Sequence, residues 1–305
     1  GSGGGGSGGT VHLVLDTLTG SGEVNVKGGN AGNPSSGSGG GGRVSIFLTS
    51  HSLFTGSYKT CGGSAQRESL AGSSGTVFIK EMRGSNEYTT LILDNSCMAA
   101  NMSRGTVLDE TEVQDHRFNE LHVLDNVILH VEGSNVTVTA DRLYSDVTST
   151  IHIHDTMVLS VDSGLSESSP ECSFALSEQG ELRLPPTVTF LGPRNSFAGT
   201  LTNIFDMVIA PHQEVILSPV VRTAMFSDGR YTFITEPGAY KLASLNVKNH
   251  AKLTFESDAD SEGKMIDIGL LEVNYGSVVT ATSLHMRGNE VKVHAGSLLD
   301  LSGGG

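Results

Sequence analysis

Apolar and polar residues alternate in short runs along most of this chain, and glycine-rich stretches separate the first runs. The run Thr10–Leu15 (TVHLVL) recurs as Arg43–Leu48 (RVSIFL), and a third copy follows. Val11, Val44 and Val77 occupy the same place in the three copies and are 33 residues apart. Alternation with a period of two places successive side chains on opposite faces of a strand. A fixed period of this length predicts stacked structural repeats.

Short alternating runs also fill the remainder of the sequence. Leu91–Asn95 (LILDN) resembles His122–Asn126 (HVLDN), which suggests a repeat offset of 31 residues. The later runs include Lys252–Glu256 and Leu298–Leu301. No window shows a sustained apolar period of 3.6 residues with helix caps, so the pattern predicts essentially no long helix.

Strands this short bury little apolar surface alone, but strands stacked one per turn pair with neighbours above and below. The sequence therefore predicts an all-β fold, a right-handed parallel β-helix (solenoid) with little or no helix. A barrel or sandwich is the alternative. Those folds favour two-residue Asn-Gly or Asp-Gly hairpins, and Asp228-Gly229 is the only dipeptide of this kind in the sequence.

Composition divides the predicted solenoid into three zones. Residues 1–83 form glycine-rich coils, and residues 84–165 form regular coils. Residues 166–305 form less regular coils that end in a glycine-rich junction. Because the chain starts and stops inside glycine runs, we expect it to be an excerpt of a longer polypeptide, one unit of a tandem array.

Charge and hydropathy exclude two classes of partner. The net charge is −14, whereas phosphate binding needs clustered Lys and Arg, so no nucleic-acid partner is expected. No apolar run approaches the ~18 residues of a membrane span, and none is predicted in this segment. Glycine contributes 39 of 305 residues, which suits thin stacked strands better than a large globular core.

The three cysteines and two glycosylation sequons point to an extracellular or cell-surface location. An odd cysteine count allows one disulfide, and Cys61 with Cys97, near the ends of neighbouring repeats, is the better-placed pair. The alternative is three buried thiols, Cys172 included. Asn101 and Asn135 each begin an N-x-Ser/Thr tripeptide and are candidate glycosylation sites.

One acidic segment resembles the start of a calcium loop. Asp258, Asp260 and Glu262 alternate with small residues and precede Gly263, and carboxylates in such a pattern bind hard cations. The expected final Glu is missing, because Gly269 stands there. Calcium is therefore the one cofactor considered, and a solvated acidic turn is the alternative.

Histidines offer a second metal hypothesis. His152 and His154 alternate on one predicted strand, so they share a face, and His122 or His130 from an adjacent coil could complete a site. A row of surface histidines is the simpler interpretation.

The sequence carries no recognised catalytic motif, and we expect no enzyme. It has neither a nucleophile elbow nor a phosphate loop. Asp94, Asp125 and Asp155 recur at about one-repeat spacing and could stack along one edge, as a glycan-cleaving site requires. Their other role is to accept backbone hydrogen bonds in turns.

The glycine-rich segments at 8–29 and 293–304 resemble modules of giant surface proteins. Such modules occur in filamentous haemagglutinin-like adhesins and in giant extracellular glycine-rich proteins of protists, algae and animals. The resemblance covers 1–83 and 284–305 and is generic between them. It implies a right-handed parallel β-helix in a long, surface-exposed fibrous protein, and it brings no catalytic motif.

These observations together predict a structural segment of an extracellular fibre or filament. Its expected partners are copies of itself or adjacent repeats of the same long chain. A glycan- or surface-binding adhesin module is the first alternative, and a carbohydrate-active enzyme, a lyase or hydrolase, is the second.

Overall fold

A computed structural model describes residues 3–97, 105–111, 114–159, 167–227, 230–256 and 264–301. In these residues the fold is almost entirely β, and its only helix is a short 3-10 turn at Glu68–Leu70. The prediction of an all-β fold is confirmed. The chain forms two compact units. Unit 1 comprises Gly1–Leu108, His116–His130 and Ala140–Thr150, and unit 2 comprises Asp109–Asp115, Val131–Thr139 and Ile151–Gly305.

The strands of unit 1 form one main sheet and two small ones, except Thr106–Leu108, which belongs to another sheet. Nine strands lie wholly in this unit: β1 (Thr10–Leu15), β2 (Thr19–Gly20), β3 (Glu23–Asn25), β4 (Arg43–Leu48), β5 (Leu53–Phe54), β6 (Ser57–Lys59), β7 (Thr76–Arg83), β8 (Asn86–Asp94) and β9 (Thr106–Leu108). The main sheet has the order β1-β4-β7-β8 and continues with β10 (Asp115–Leu124), while β2 pairs with β5 and β3 with β6. The strands β11 (Ile128–Val131), β12 (Thr137–Ser145) and β13 (Thr150–Ile153) contain residues of both units.

The 33-residue spacing is the register of three parallel strands. Val11 pairs with Val44, and Val44 pairs with Val77. Val44, Ile46 and Val77 are buried in the core of unit 1, where the alternation puts them on one face. We call residues 3–35 the first repeat and residues 36–68 the second repeat.

Main-sheet pairing departs from the sequence prediction at two places. Strands β7 and β8 form an antiparallel hairpin around Gly84-Ser85, and Gly84 has a φ of +68°, which glycine adopts readily. This Gly-Ser turn is a hairpin signal that the search for Asn-Gly and Asp-Gly missed. Strands β8 and β10 are parallel with Leu91 opposite Leu121, an offset of 30 residues rather than 31.

The physical reason for the corrected offset is burial. Leu91 and Leu121 both face the core, and a one-residue shift would turn one of them to the other face. The tripeptide Leu-Asp-Asn, which the two segments share, is therefore shifted by one residue relative to the strand pairing. In its second copy, Asp125 and Asn126 lie in the turn after β10 and have φ values of +60° and +62°.

Unit 2 contains strands of three sheets, and neighbouring strands are parallel except β23 and β24. The first order is β14 (Thr156–Leu159), β17 (Glu181–Arg183), β20 (Thr200–Thr202), β23 (Arg222–Ser227) and β24 (Arg230–Ile234). The second is β16 (Ser173–Leu176), β19 (Arg194–Phe197), β22 (Glu214–Leu217), β26 (Lys252–Phe255), β28 (Val278–Ala281) and β30 (Leu298–Asp300). The third is β15 (Glu167–Ser168), β18 (Thr187–Phe190), β21 (Asp206–Ile209), β25 (Ala239–Val247), β27 (Lys264–Val273) and β29 (Leu284–Val293).

Side chains fill the interior of unit 2. Its four-residue strands alternate between a buried and a half-buried position. The rings of Phe174 and Phe197 both pack against Phe190, with centroids 6.3 and 5.2 Å away. This is the core that an alternating sequence predicts.

A turn of one type recurs before successive strands of the second sheet. Each turn is closed by a backbone hydrogen bond across four residues and has a residue with positive φ at its third position. That residue is His212, His250, Gly276 or Gly296, with φ between +59° and +75°. The imidazoles of His212 and His250 stack with centroids 5.2 Å apart, so the turns lie one above the other.

Candidate functional site

Five glycine-rich segments of unit 1 form hydrogen bonds to one another at every third residue. The segments are 3–9, 26–32, 37–42, 60–64 and 70–75. The N–H groups of Gly5 and Gly8 donate to the carbonyls of Gly37 and Gly40, at 2.9 and 2.8 Å. A spacing of three is the period of a polyproline II helix.

Neighbouring glycine segments run both parallel and antiparallel. The pairing of Gly5 and Gly8 with Gly37 and Gly40 is parallel. Segment 26–32 instead runs antiparallel to segment 3–9, because Gly29 donates to Gly6 at 2.8 Å and Gly32 donates to Gly3 at 3.3 Å. We call the five segments together the glycine layer.

Close backbone contact is why the inner segments of the glycine layer need glycine. A Cβ atom on Gly39 would lie 1.9 Å from the carbonyl oxygen of Gly6, and one on Gly72 would lie 1.9 Å from that of Gly39. Gly42 and Gly75 show the same relation to the residue 33 positions earlier, at 2.0 and 1.8 Å. None of these four has a positive φ. The interior of the layer is therefore filled by backbone atoms.

The sequence analysis assigned strands and turns to this region and missed the glycine segments that hydrogen-bond at every third residue. The available signal was glycine at every third position, as at Gly3, Gly6 and Gly9. Alternation of apolar residues cannot reveal it, because these segments contain almost no apolar side chains.

The disulfide joins the glycine layer to the hairpin of β7 and β8. Cys61 lies in segment 60–64 and is completely buried, and it is bonded to Cys97 just after β8, with Cα atoms 6.1 Å apart. Ala71 of segment 70–75 packs against this pair. Cys172 is buried in unit 2.

The outer strand of the main sheet in unit 1 is incompletely covered. Val44 and Ile46 of β4 are 1% and 0% exposed, whereas Val11 and Leu13, their partners in β1, are only partly buried. Val14 is 69% exposed. This open edge presents unpaired backbone groups and apolar side chains.

The outer strands of unit 2 show the same feature. Val291 and Val293 of β29 are 45% and 48% exposed. Their partners in β27, Leu271 and Val273, are 2% and 0% exposed. The inward positions of the last strands are therefore apolar but lack a covering layer.

A groove of about 530 Å³ lies in unit 2 at the carboxyl ends of β22, β26 and β28. Its lining combines hydroxyl groups and two carboxylates with a few apolar groups: Glu178, Ser218, Pro219, Val220, Thr254, Phe255, Glu256, Thr280, Ala281 and Thr282. This lining contains no cationic side chain. The groove therefore suits a polyhydroxylated neutral ligand or a cation better than an anion.

Glu181 is a buried carboxylate in unit 2 whose oxygens are fully engaged. Arg183 donates to both of them at 2.6 and 3.2 Å, Thr202 donates at 2.9 Å, and Tyr231 donates at 2.6 Å. Burial opposes its negative charge, but these hydrogen bonds outweigh burial and hold the pKa of Glu181 below its ordinary value. Burial and the bond to Glu181 raise the pKa of Tyr231 to about 12.

Glu81 is a comparable buried carboxylate in unit 1. It is 4% exposed and accepts hydrogen bonds from the backbone of Ser52 at 2.8 Å and from Arg83 at 2.6 Å. His51 lies 3.2 Å from the same carboxylate. Burial opposes the charge, yet these contacts keep the pKa of Glu81 below its ordinary value. Both carboxylates are held ionised and occupied, which suits structural anchors rather than proton donors.

The aspartates considered for catalysis lie at the end of a strand (Asp94) or in turns (Asp125 and Asp155). Asp94 accepts from the backbone of Ser96 at 2.6 Å, and Asp155 accepts from that of Val136 at 2.6 Å. Burial and the charges of Asp94 and Asp146 raise the pKa of Asp125.

Several residues singled out by the sequence lie outside the described part of the chain. These are the calcium candidates Asp258, Asp260 and Glu262, and the sequon residue Asn101. Calcium binding and glycosylation at these positions stay predictions.

The described sequon residue, Asn135, is exposed in a turn with a φ of +66°. By contrast, Asn95, which begins an Asn-Ser-Cys tripeptide, is 0% exposed. The asparagine side chain is therefore accessible only in the first of these two sequons.

The histidines of the second metal hypothesis include members of both units. In unit 1, His122 lies 3.3 Å from Glu120 and stacks on the ring of Tyr144 with centroids 4.5 Å apart. In unit 2, His152 lies in β13 and His154 directly follows it, so the two share a face as predicted.

Comparison with known proteins gives no relative: no family model, curated protein or solved structure matches this chain. In the described residues, no helix is long and apolar enough to span a membrane.

Proposed function

We propose that this chain is a structural segment of a long extracellular or cell-surface fibrous protein, built as a right-handed parallel β-helix. The observation that carries the proposal is the in-register parallel stacking of equivalent strands, as in Val11, Val44 and Val77. Unit 2 also contains successive parallel strands, in which, for example, Val215 pairs with Leu253 and Leu253 pairs with Val279.

The mechanism of such a segment is mechanical. Hydrogen bonds between stacked parallel strands run along the stack, and each repeat contacts mainly its neighbours. Pulling along the stack loads many backbone bonds in each strand together. The carboxylates of Glu81 and Glu181 suit this role, because their oxygens already accept hydrogen bonds from neighbouring elements and do not offer a reactive group.

The disulfide supports an extracellular location. Disulfides persist in oxidising compartments and are rare where thiols are kept reduced. The Cys61–Cys97 bond is buried on the Cys61 side and closes a separation of 36 residues, so it stabilises the glycine layer against unfolding.

Single-molecule pulling tests the proposal. With the disulfide reduced, the repeats of unit 1 should unravel one by one in steps of about 33 residues, or roughly 11 nm at the extended length per residue. Release of whole units in one low-force event would contradict the proposal, because it would show that repeats do not carry load separately.

A glycan-binding module is the second candidate function, and the groove at the ends of β22, β26 and β28 favours it. Its hydroxyls can donate hydrogen bonds to a sugar and accept them, and its carboxylates Glu178 and Glu256 can accept them. Titration with neutral oligosaccharides should show saturable binding that Glu256→Gln and Thr280→Val weaken. Lack of binding to a broad glycan panel would remove this candidate.

A further inference from the structure

Aromatic rings line the face of the main sheet in unit 1 that is turned away from the core. Along β4 and β7, buried residues such as Ile46 and Val77 alternate with half-buried ones, among them Phe47 and Phe78. The centroids of these two rings are 5.8 Å apart, and the ring of His12 in β1 lies 5.4 Å from that of Phe47. We call the outward positions of β4 and β7 the aromatic face.

This face is open although both strands lie inside the sheet. Strand β4 pairs with β1 and β7, and β7 pairs with β4 and β8. The rings of Phe47 and Phe78 are half-buried and tilted by 60° rather than stacked, so neither covers the face of the other. The row continues to the buried ring of Phe118 in β10, 6.5 Å from Phe78. The core on the other side already contains Val44 and Ile46, and a row of rings on a solvent face is typical of a binding surface.

Hydroxyl groups and one cation interrupt the rings. Ser45 pairs with His12 on one side and with Phe78 on the other, so it lies between two rings. Arg43 precedes Ser45 on the same face and pairs with Thr76. A surface that alternates rings with polar groups fits a sugar chain, because each sugar ring has apolar C–H faces and polar edges. A purely apolar protein partner would bury Ser45 and Arg43 without polar partners.

The aromatic face is cationic in an acidic molecule. None of its positions is acidic: they are Arg43, Ser45 and Phe47 in β4, and Thr76, Phe78, Lys80 and Met82 in β7. Lys80 forms an ion pair with Glu87 at 2.7 Å. Arg43 is exposed, and its guanidinium forms no ion pair or hydrogen bond within the described residues. One uncompensated cation beside two rings, in a chain of net charge −14, is complementary to a ligand with spaced negative charges.

We propose that the aromatic face binds an acidic polysaccharide, a chain of sugars that carry carboxylates. Sugar rings stack on Phe47 and Phe78. Ser45 forms a hydrogen bond with a sugar hydroxyl, and Arg43 pairs with a carboxylate. Single-stranded nucleic acid also stacks on aromatic rings, but it follows a groove with many cations, and this face has one free arginine.

The groove of unit 2 has the opposite character, because its lining has carboxylates and no cation. The two sites therefore select different sugars, neutral ones in the groove and acidic ones on the aromatic face. Binding to the aromatic face attaches the chain to an acidic matrix, which goes beyond the proposed mechanical function and does not depend on it.

Isothermal titration calorimetry of the full chain tests the proposal with a galacturonic acid hexamer and with cellohexaose, a neutral oligomer of the same length. The acidic hexamer should bind saturably and at least about tenfold more tightly than cellohexaose. Arg43→Gln and Phe47→Leu should each raise its dissociation constant about tenfold, and the first should also reduce the salt dependence of binding. Arg43→Gln should keep the wild-type melting temperature, because Arg43 has no partner within the described residues. This variant therefore decides the outcome even where Phe47→Leu destabilises the sheet.

Arg222→Gln is the matched control. Arg222 is an exposed arginine at the first position of β23, as Arg43 is at the first position of β4, and its variant should bind the acidic hexamer like wild type. A wild-type protein that does not bind the hexamer, or binding that neither Arg43→Gln nor Phe47→Leu weakens, would overturn the proposal. An equal loss in Arg222→Gln would also overturn it, because it would indicate attraction to any exposed cation. A wild-type oligomer in sedimentation that Phe47→Leu dissociates would identify a second copy as the occupant instead.

Discussion

The glycine layer of unit 1 and the core of unit 2 fill their interiors in opposite ways. In the layer, backbone packs on backbone, and a Cβ atom on Gly39 would lie 1.9 Å from the oxygen of Gly6. In unit 2, side chains such as Leu182 and Phe190 fill the interior and are 0% exposed. The interior beside stacked strands can therefore be filled either by backbone atoms alone or by interdigitating side chains.

This difference changes what each region tolerates. A side-chain core can repack, and volume-conserving apolar substitutions cost less than about 1.5 kcal/mol. A backbone layer has no flexible atom that can move aside, so even one methyl group must displace a whole segment. Stability in the layer depends on the absence of side chains, while in unit 2 it depends on their fit.

The sharpest test of the comparison is Gly39→Ala against Gly6→Ala, the same substitution in successive repeats. We expect Gly39→Ala to cost about 4 kcal/mol or more, above the usual range for overpacking, because its Cβ meets backbone. Gly6→Ala should leave the free energy of unfolding unchanged or raise it by up to about 1 kcal/mol, since its Cβ meets nothing within 4 Å. Urea unfolding with hydrogen exchange of peptides from 3–75 measures both, and equal stability of the two variants would show that the layer can expand.

Removing the disulfide tests whether the layer can hold without a covalent link. The Cys61–Cys97 bond spans 36 residues, and the chain-entropy model assigns a loop of this size about 3–4 kcal/mol. Cys97→Ser should therefore lower the free energy of unfolding by that amount, with exchange rising first in peptides from 60–75. Wild-type protein in reductant is the control and should match the variant; if neither loses stability, the glycine layer is held by its hydrogen bonds alone.

Leu182→Ala and Leu182→Met test the side-chain core of unit 2. The alanine variant should lose about 3 kcal/mol, because Leu182 is fully buried and its removal leaves a cavity. The methionine variant should lose less than about 1.5 kcal/mol. Calorimetric melting of wild type and the two variants measures both losses of stability. A loss for the methionine variant as large as that for the alanine variant would mean that unit 2 packs as rigidly as the glycine layer.

The strands could be predicted from the sequence because their side chains alternate. The predicted strands Thr10–Leu15 and Arg43–Leu48 have the same bounds as β1 and β4, and their offset of 33 residues is the observed register. Alternation carries this information since burial on one face fixes both the position and the register of a strand.

The glycine layer could not be found in the same way. Its structure depends on contacts between backbones that are distant in sequence, such as Gly39 with Gly6, and glycine has no side chain to record which face is inward. The groove near Glu256 was equally hidden, because it is assembled from the ends of three strands. The Gly84-Ser85 hairpin was locally encoded and could have been recognised.

The smallest expected effect is the acid sensitivity contributed by Glu181. Its folded pKa lies below the unfolded value of about 4.3, so its stabilisation is fully present above that pH and is lost as the pH falls through the folded pKa.

Glu181→Gln keeps the shape but removes the charge, and we expect it to cost about 1–3 kcal/mol at pH 7, where three partners lose a charged acceptor. In unfolding curves measured from pH 7 downward, the difference in stability between variant and wild type should narrow as the pH falls below the unfolded pKa of Glu181. Because Tyr231 donates to the same carboxylate, Tyr231→Phe should reproduce part of the loss of stability at pH 7. A difference in stability between Glu181→Gln and wild type that persists unchanged at low pH would show that packing, rather than the ionised carboxylate, anchors β24 to β17.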